Sequence, residues 1–455
     1  MSWITIALVA YVLLQTAIAV WASRRIGGDA DYLVAGRRLD LFAVSVSLFA
    51  TWFGGETVMG ASAAIAGEGL AGARAEPVGY ALCLVAAALL VAGALRSKGY
   101  LTLADFFRER FGGRAEIAAA LVSIPTSVIW AAAQLLALSA LLSAVTELPV
   151  AWTLLGAGAL VIVYTLLGGL LGDVVTDIVQ SVVVLAGLVV LLVTLVTRAG
   201  GLDAALASVR PDQLVLVPPG ESWIERIDAF LIPILGSIVA QEMIARFLGA
   251  KTARIAVNGG LIAGGLYLAV GVFPIAFGLI GTGGGFGADA GDLYLPLLAA
   301  ELLPTALFVV FIGALFSAVL STVDSALLAV SALATENLYR RVRRAAGERE
   351  RLIAARALTV VAGLAALAVA FAGDTIYGLV ELASALGSAG LLVSLLIGLH
   401  TKFGGEASAL AALAAGLIAI YVADYVLEIP GGFIASILAA GLAYAIFALP
   451  QFRRL

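Results

Sequence analysis

The 455-residue chain is 62% hydrophobic and only 12% charged, with a mean hydropathy of +1.10. A soluble globular domain is nearer half apolar and a quarter charged, so a water-soluble fold is excluded and a polytopic helical membrane protein remains, built from spans of about 20 apolar residues. The net charge of −4 says little, because the charges divide between two aqueous sides; a single cysteine, Cys83, excludes an intrachain disulfide, and with a single histidine, His400, it leaves little for a His/Cys metal cluster or a nucleophilic triad.

Thirteen spans are predicted, α1 to α13, at about 2–23, 41–66, 76–95, 115–144, 150–168, 173–198, 224–248, 257–281, 294–339, 350–372, 375–399, 406–426 and 432–450. No basic segment precedes α1, and Arg24 and Arg25 follow it, which marks an uncleaved first span with its N-terminus outside. In the middle of α2 stand Gly54, Gly55 and Glu56. Two glycines weaken a helix, and an ionisable side chain at membrane depth is costly unless it faces a cavity, an ion or a substrate. The stretch therefore predicts a helix broken on purpose, with the break lining a site. Between α3 and α4, Leu101–Gly113 has apolar residues at helical spacing and is expected at the membrane surface.

On α6, Asp173, Thr176, Asp177 and Gln180 fall at i, i+3, i+4 and i+7. Asp173 is read as an acid at a helix start, favoured by the dipole, and Asp177 as an intramembrane carboxylate. The external 200–222 segment carries Pro211, Pro218 and Pro219 and reads as a loop. Five spans after α2, α7 contains Pro233 and Gly236, a second interruption. Paired interruptions five spans apart fit inverted repeats, α2–α6 and α7–α11, since five is odd. The glycine-rich Gly281–Gly287 lacks the Gly-Lys-Ser/Thr ending of a phosphate loop and is a gate or a plain loop. α9 is too long for one crossing, so part of it runs past the bilayer or kinks. Along it Ala318, Ser321, Thr322 and Ser325 share a face. Such a stripe is either glue between helices or an oxygen-ligand set for a hard cation, with carbonyls from the α2 break.

Of 26 Lys and Arg residues, 22 fall on one side of this layout. The asymmetry puts that side, and the C-terminus, in the cytoplasm. Abundant arginine and alanine suggest a bacterial chain, hence a plasma (inner) membrane.

Several motifs carry a resemblance: Tyr32–Arg37, the α2 break, Thr102–Phe107, Tyr164–Gln180, Gln241–Lys251 and Ser317–Tyr339. Together they identify the chain as similar to the sodium/solute symporter family. The resemblance implies an all-α broken-helix, 5+5 inverted-repeat (LeuT-like) core at 41–400, with repeats at 41–198 and 224–400. Residues 1–40 add an N-terminal helix and cytoplasmic loop, and 401–455 add two C-terminal helices. It further implies a Na⁺ site made by the carbonyls of Ala50, Phe53 and Ala318 and the hydroxyls of Ser321 and Thr322. Asp177, with Ser325, matches a possible second cation site.

Ala50–Gly55, Val78–Tyr80, Arg96–Thr102, Trp130–Ala132 and Asp324-Ser325 are most similar to the choline-transporter branch. An aromatic cage for an ammonium group is then expected from Trp52, Tyr80 and Trp130. The aromatic expected before Gln241 is Ala240 here, and Glu56 stands where that branch has glycine. Glu56 or Glu76 could take the positive group of a smaller amine or zwitterion, and Gln241 is a further substrate contact. Gly54, Gly55, Pro233 and Gly236 serve the breaks and gating. The expected function is sodium-coupled import of a small organic solute by alternating access. The alternatives are a carboxylate, amino acid or sugar as solute, a proton as coupling ion, or a solute sensor that does not transport. The partners are a small molecule and the lipid bilayer. Neither nucleic acid, an organic cofactor nor enzymatic chemistry is implied.

Overall fold

The computed structural model describes residues 10, 11, 13–18, 20, 21, 29–73, 75–146, 148–283, 288–373 and 375–452, and these are almost entirely helical. Most of α1 lies outside the described residues; among the described residues eight helices are long and apolar enough to cross a membrane, or eleven with each bent pair taken as one span. Eight are continuous: α3 Val78–Lys98, α4 Gly113–Thr146, α6 Gly169–Arg198, α8 Ala253–Thr282, α9 Thr305–Val342, α10 Glu348–Ala372, α12 Glu406–Val426 and α13 Gly432–Leu449. α5 is the shorter Val150–Leu166. Three spans are bent: α2 (Leu41–Trp52 and Glu56–Ala71, 53°), α7 (Trp223–Val239 and Gln241–Gly249, 47°) and α11 (Ile376–Ala385 and Ser388–His400, 42°).

The breaks follow from local chemistry. α2 leaves helical geometry at Phe53, whose ψ is 63°, just before the two glycines. A Cβ on Gly54 would lie 2.7 Å from Thr322 Oγ1 and 2.7 Å from Glu56 Oε2, so glycine permits the close approach of α9 to the break. α7 corrects the expectation at Pro233. That proline sits inside the helical first half, and the interruption begins at Gly236 with a 3₁₀ turn and ends at Ala240, whose ψ is 123°. A Cβ on Gly236 would fall 2.2 Å from the Ser384 carbonyl oxygen. Gly236→Ala is therefore expected to cost about 1–3 kcal/mol by overpacking, read as a lower thermal midpoint of the purified protein; an unchanged midpoint would contradict the contact. The α11 bend at Gly387, with φ at +73°, was not expected.

Two boundaries also differ. The run expected as a single α9 is two helices, Tyr294–Leu302 and Thr305–Val342, because Pro304 caps the second and ends the first. The 200–222 segment expected as loop forms Leu202–Ala207 and a turn at Pro211–Leu214. The Leu101–Gly113 stretch does carry a helix, Leu103–Arg110, started by a capping box of Thr102 and Asp105.

α9 is the central post. Its residues from Phe311 to Asn337 are buried throughout, packed between α4 and α6. α2 and the second half of α7 lie against it; the α2 break borders it, while the α7 break faces α4 and α11. α12 and α13 pack on each other and on α11 at the periphery.

Candidate functional site

The α2 break, α6 and α9 enclose a cavity of about 10 Å³, lined by Phe49, Ala50, Phe53, Gln180, Ser181, Val184, Ala318 and Ser321. It is the size of one water or one desolvated ion. Thr322 Oγ1 stands 3.5 Å from the Ala50 carbonyl oxygen and 3.1 Å from that of Ala318. Thus Ala50, Phe53, Ala318, Ser321 and Thr322, far apart in sequence, come together. Their carbonyl and hydroxyl oxygens are the donor chemistry a hard cation takes.

Behind this cavity lies a buried charge cluster that sequence reasoning mistook. Arg246, near the predicted end of α7, is wholly buried on the second half of that helix. Its guanidinium donates to Asp173 Oδ2 at 2.5 Å, to Ser325 Oγ at 2.5 Å, to Ser47 Oγ at 3.1 Å and to the Glu242 carbonyl at 3.1 Å. It also lies 3.6 Å from Asp177 Oδ2. Asp173 is therefore an ion-pair partner, beyond its place at a helix start. Asp177 accepts hydrogen bonds from Ser47, at 2.5 Å, and from Ser321. Ser325 is not brought to Asp177: its hydroxyl donates to Asp173 at 2.9 Å. Asp177 and Ser325 thus share one cluster, joined through Asp173 and Arg246. The guanidinium is met by more than one buried carboxylate, and Asp173 Oδ1 has no hydrogen-bond partner among the described residues.

On the other side of the α2 break is an aromatic cluster. The Trp52 and Trp130 rings are 5.6 Å apart, Tyr80 meets Trp130 edge-on at 6.1 Å, and Tyr267, which sequence reasoning missed, lies 6.2 Å from Tyr80. All four are buried, and the Trp52 Nε1–H has no hydrogen-bond partner among the described residues. Two carboxylates border the cluster. Glu56, 1% exposed, accepts from Gln134 Nε2 at 2.7 Å, while Gln134 Oε1 accepts from the Gly55 N–H at 2.9 Å. Gln134 was missed as well, although a lone glutamine inside the apolar 131–142 run is a signal. Glu76 is buried too, and accepts from the Tyr267 hydroxyl at 3.1 Å and from Thr57 at 3.4 Å. It lies within electrostatic range of Glu56.

Gln241 is placed elsewhere. Its Oε1 accepts the Leu103 N–H at 2.8 Å, so it serves the first turn of the Leu103–Arg110 helix, whose N–H groups lack intrahelical partners. Its Nε2 is buried without a hydrogen-bond partner among the described residues.

A broken-helix membrane bundle with an ion-sized cavity between its first break and α9 fits the class of secondary transporters. The sodium:solute symporter family model matches residues 32–439, and the chain belongs to that family. It is 29% identical over 454 residues to the human high affinity choline transporter 1, covering 94% of this chain and 76% of that protein. It is 27% identical to an osmoregulated proline transporter of Bacillus subtilis, with 96% and 93% covered. Among solved structures it resembles the substrate-bound outward-open state of a Na⁺-coupled sialic acid symporter, with a TM-score of 0.83, 17% identity, and 99% and 97% of the chains covered. It also resembles Mhp1, a nucleobase-cation-symport-1 family transporter, in a closed conformation, with a TM-score of 0.62, 16% identity, and 94% and 96% covered. The protein is thus a multi-pass membrane symporter that couples sodium to a small solute; its relatives are transporters, not enzymes.

Proposed function

We propose that the solute is a small organic ammonium compound, either a cation or a zwitterion, taken up with Na⁺ bound between the α2 break and α9. The carrying observation is the aromatic cluster bordered by two buried carboxylates whose hydrogen-bond donors, Gln134, Tyr267 and Thr57, are neutral. Ring faces attract an ammonium group, and a buried carboxylate gains most from a cation of its own. An anionic solute would meet Glu56 and Glu76 as like charges, which argues against the carboxylate alternative. The human relative is named for choline, and choline with smaller amines forms the first set of compounds to test.

In the proposed cycle, Na⁺ draws Ala50, Phe53, Ala318, Ser321 and Thr322 together and so fixes the α2 break. Trp52, Tyr80 and Trp130, with Glu56 and Glu76, then receive the ammonium group next to it. The bundle of α2, α3, α7 and α8 rocks against the rest, and both ligands leave on the cytoplasmic side, where the C-terminus lies. One Na⁺ moving through about 100 mV supplies about 2.3 kcal/mol, and a tenfold gradient about 1.4 more. That sustains roughly a few-hundred-fold accumulation of a neutral solute.

Trp130→Ala tests the cage. Loss of one ring face should weaken substrate binding about ten- to thirtyfold, while sodium affinity of the site between the α2 break and α9, measured without substrate, stays within about twofold. The measurement is a thermal-shift titration of each ligand across amines, betaines, amino acids, carboxylates and sugars. Equal losses for sodium and substrate would make Trp130 a packing residue.

A further inference from the structure

The inverted repeat relates α2, α6 and α9 to α7, α11 and α4. The first three line the small cavity described above. The second three line another, of about 20 Å³, next to Trp130. Both are too small for an organic solute and large enough for one water-sized species.

The correspondence extends to residues. α9 presents the adjacent hydroxyls Ser321-Thr322 followed by Val323, and α4 presents Thr126-Ser127 followed by Val128. The α2 break is followed by Gly55-Glu56 and the α7 break by Gln241-Glu242. Both glutamates are buried, and each has an Oε1 without a hydrogen-bond partner. Ser181 lines the first cavity from α6, and Ser384 lines the second from α11.

The second cavity is rich in oxygen. Hydroxyls of Ser127, Ser237, Ser384 and Ser388 line it with the Glu242 carboxylate, and all five residues are at least nine-tenths buried. Ser237 donates to Ser384 Oγ at 3.1 Å, which leaves lone pairs on both for a further partner. Glu242 begins the second half of α7, where the helix N-terminus favours its ionised form. A buried carboxylate with an oxygen that lacks a partner among the described residues is stabilised by a cation, and hydroxyl and carboxylate ligands suit a hard one.

We propose that this cavity is a second sodium site, the symmetry mate of the one between α2 and α9. The identity of its ion rests on the reading of that first cavity as a sodium site. The test is equilibrium binding of ²²Na⁺ to the purified full chain in detergent, without any solute. Two ions per chain are expected. Ser127→Ala and Glu242→Gln should each weaken one of the two at least tenfold, Thr322→Ala should weaken the other, and the Ser127/Thr322 double variant should weaken both.

A wild type that binds one ion, lost only on Thr322→Ala, overturns the second site and leaves the first standing. One ion lost on Ser127→Ala but kept on Thr322→Ala overturns the first assignment and keeps this one. An unchanged count in Glu242→Gln with weaker amine binding overturns the proposal in favour of a substrate contact. Should Glu242→Gln fail to fold, judged by thermal unfolding without sodium, Ser127→Ala decides alone.

Discussion

Thr322→Ala should raise the sodium concentration for half-maximal uptake about ten- to a hundredfold. Its hydroxyl lies between the Ala50 and Ala318 carbonyls, 3.5 and 3.1 Å away, where the α2 break and α9 meet. An oxygen contact to a charged partner contributes about 1.5–3 kcal/mol, which converts to that range. Thr322→Ser keeps the oxygen and should restore most of the affinity. Transport in proteoliposomes, titrated with sodium at fixed pH, gives the answer. An unchanged sodium dependence in Thr322→Ala would remove α9 from the ion site.

Arg246→Met should be the most damaging single change in the core. It leaves Asp173 and Asp177 buried together without their cation, and breaking a buried pair in this way costs about 3–5 kcal/mol. The expected readout is loss of the monodisperse species on size-exclusion chromatography of the detergent-extracted protein. Adding Asp173→Asn to Arg246→Met should recover part of it, because one uncompensated charge is gone. Arg246→Lys should fall between, since an ammonium keeps the charge but cannot reach Asp173, Ser325 and Ser47 at once as the guanidinium fork does. A stable, wild-type-like Arg246→Met protein would show that the cluster contributes little.

The sequence made the breaks legible where they depend on residues with a backbone meaning. Gly54-Gly55 and Gly236 interrupt otherwise apolar runs, and the interruptions lie there or within a few residues. Pro233 misled because a membrane helix can absorb a proline within its length. Pro304 was overlooked although it ends one helix and starts another. Gly387 stood in a run of small residues that gave no contrast.

Side-chain direction was the harder matter. Ser321 and Thr322 were legible as a face, because α-helical periodicity fixes which residues share one. Arg246 was not, because it lies near a predicted span end, where a shift of a few residues decides between loop and core; Gln241 lies inside the predicted α7, and only the fold brings it to the Leu103 N–H. Glu56 was singled out from its depth alone, yet its partner Gln134 comes from another span, and no local pattern joins them. The hydroxyl pair at Thr126-Ser127 was present in the sequence throughout. It gained meaning only once the α7 break and α11 were found beside it.

The most direct test of sodium coupling is uptake of a bound amine into proteoliposomes at fixed pH, under an inward sodium gradient, an inward proton gradient, or neither. Accumulation driven by sodium alone, and abolished at ordinary sodium in Thr322→Ala, is the expected result. Accumulation driven by protons without sodium, or tight amine binding with no uptake under any gradient, would contradict it.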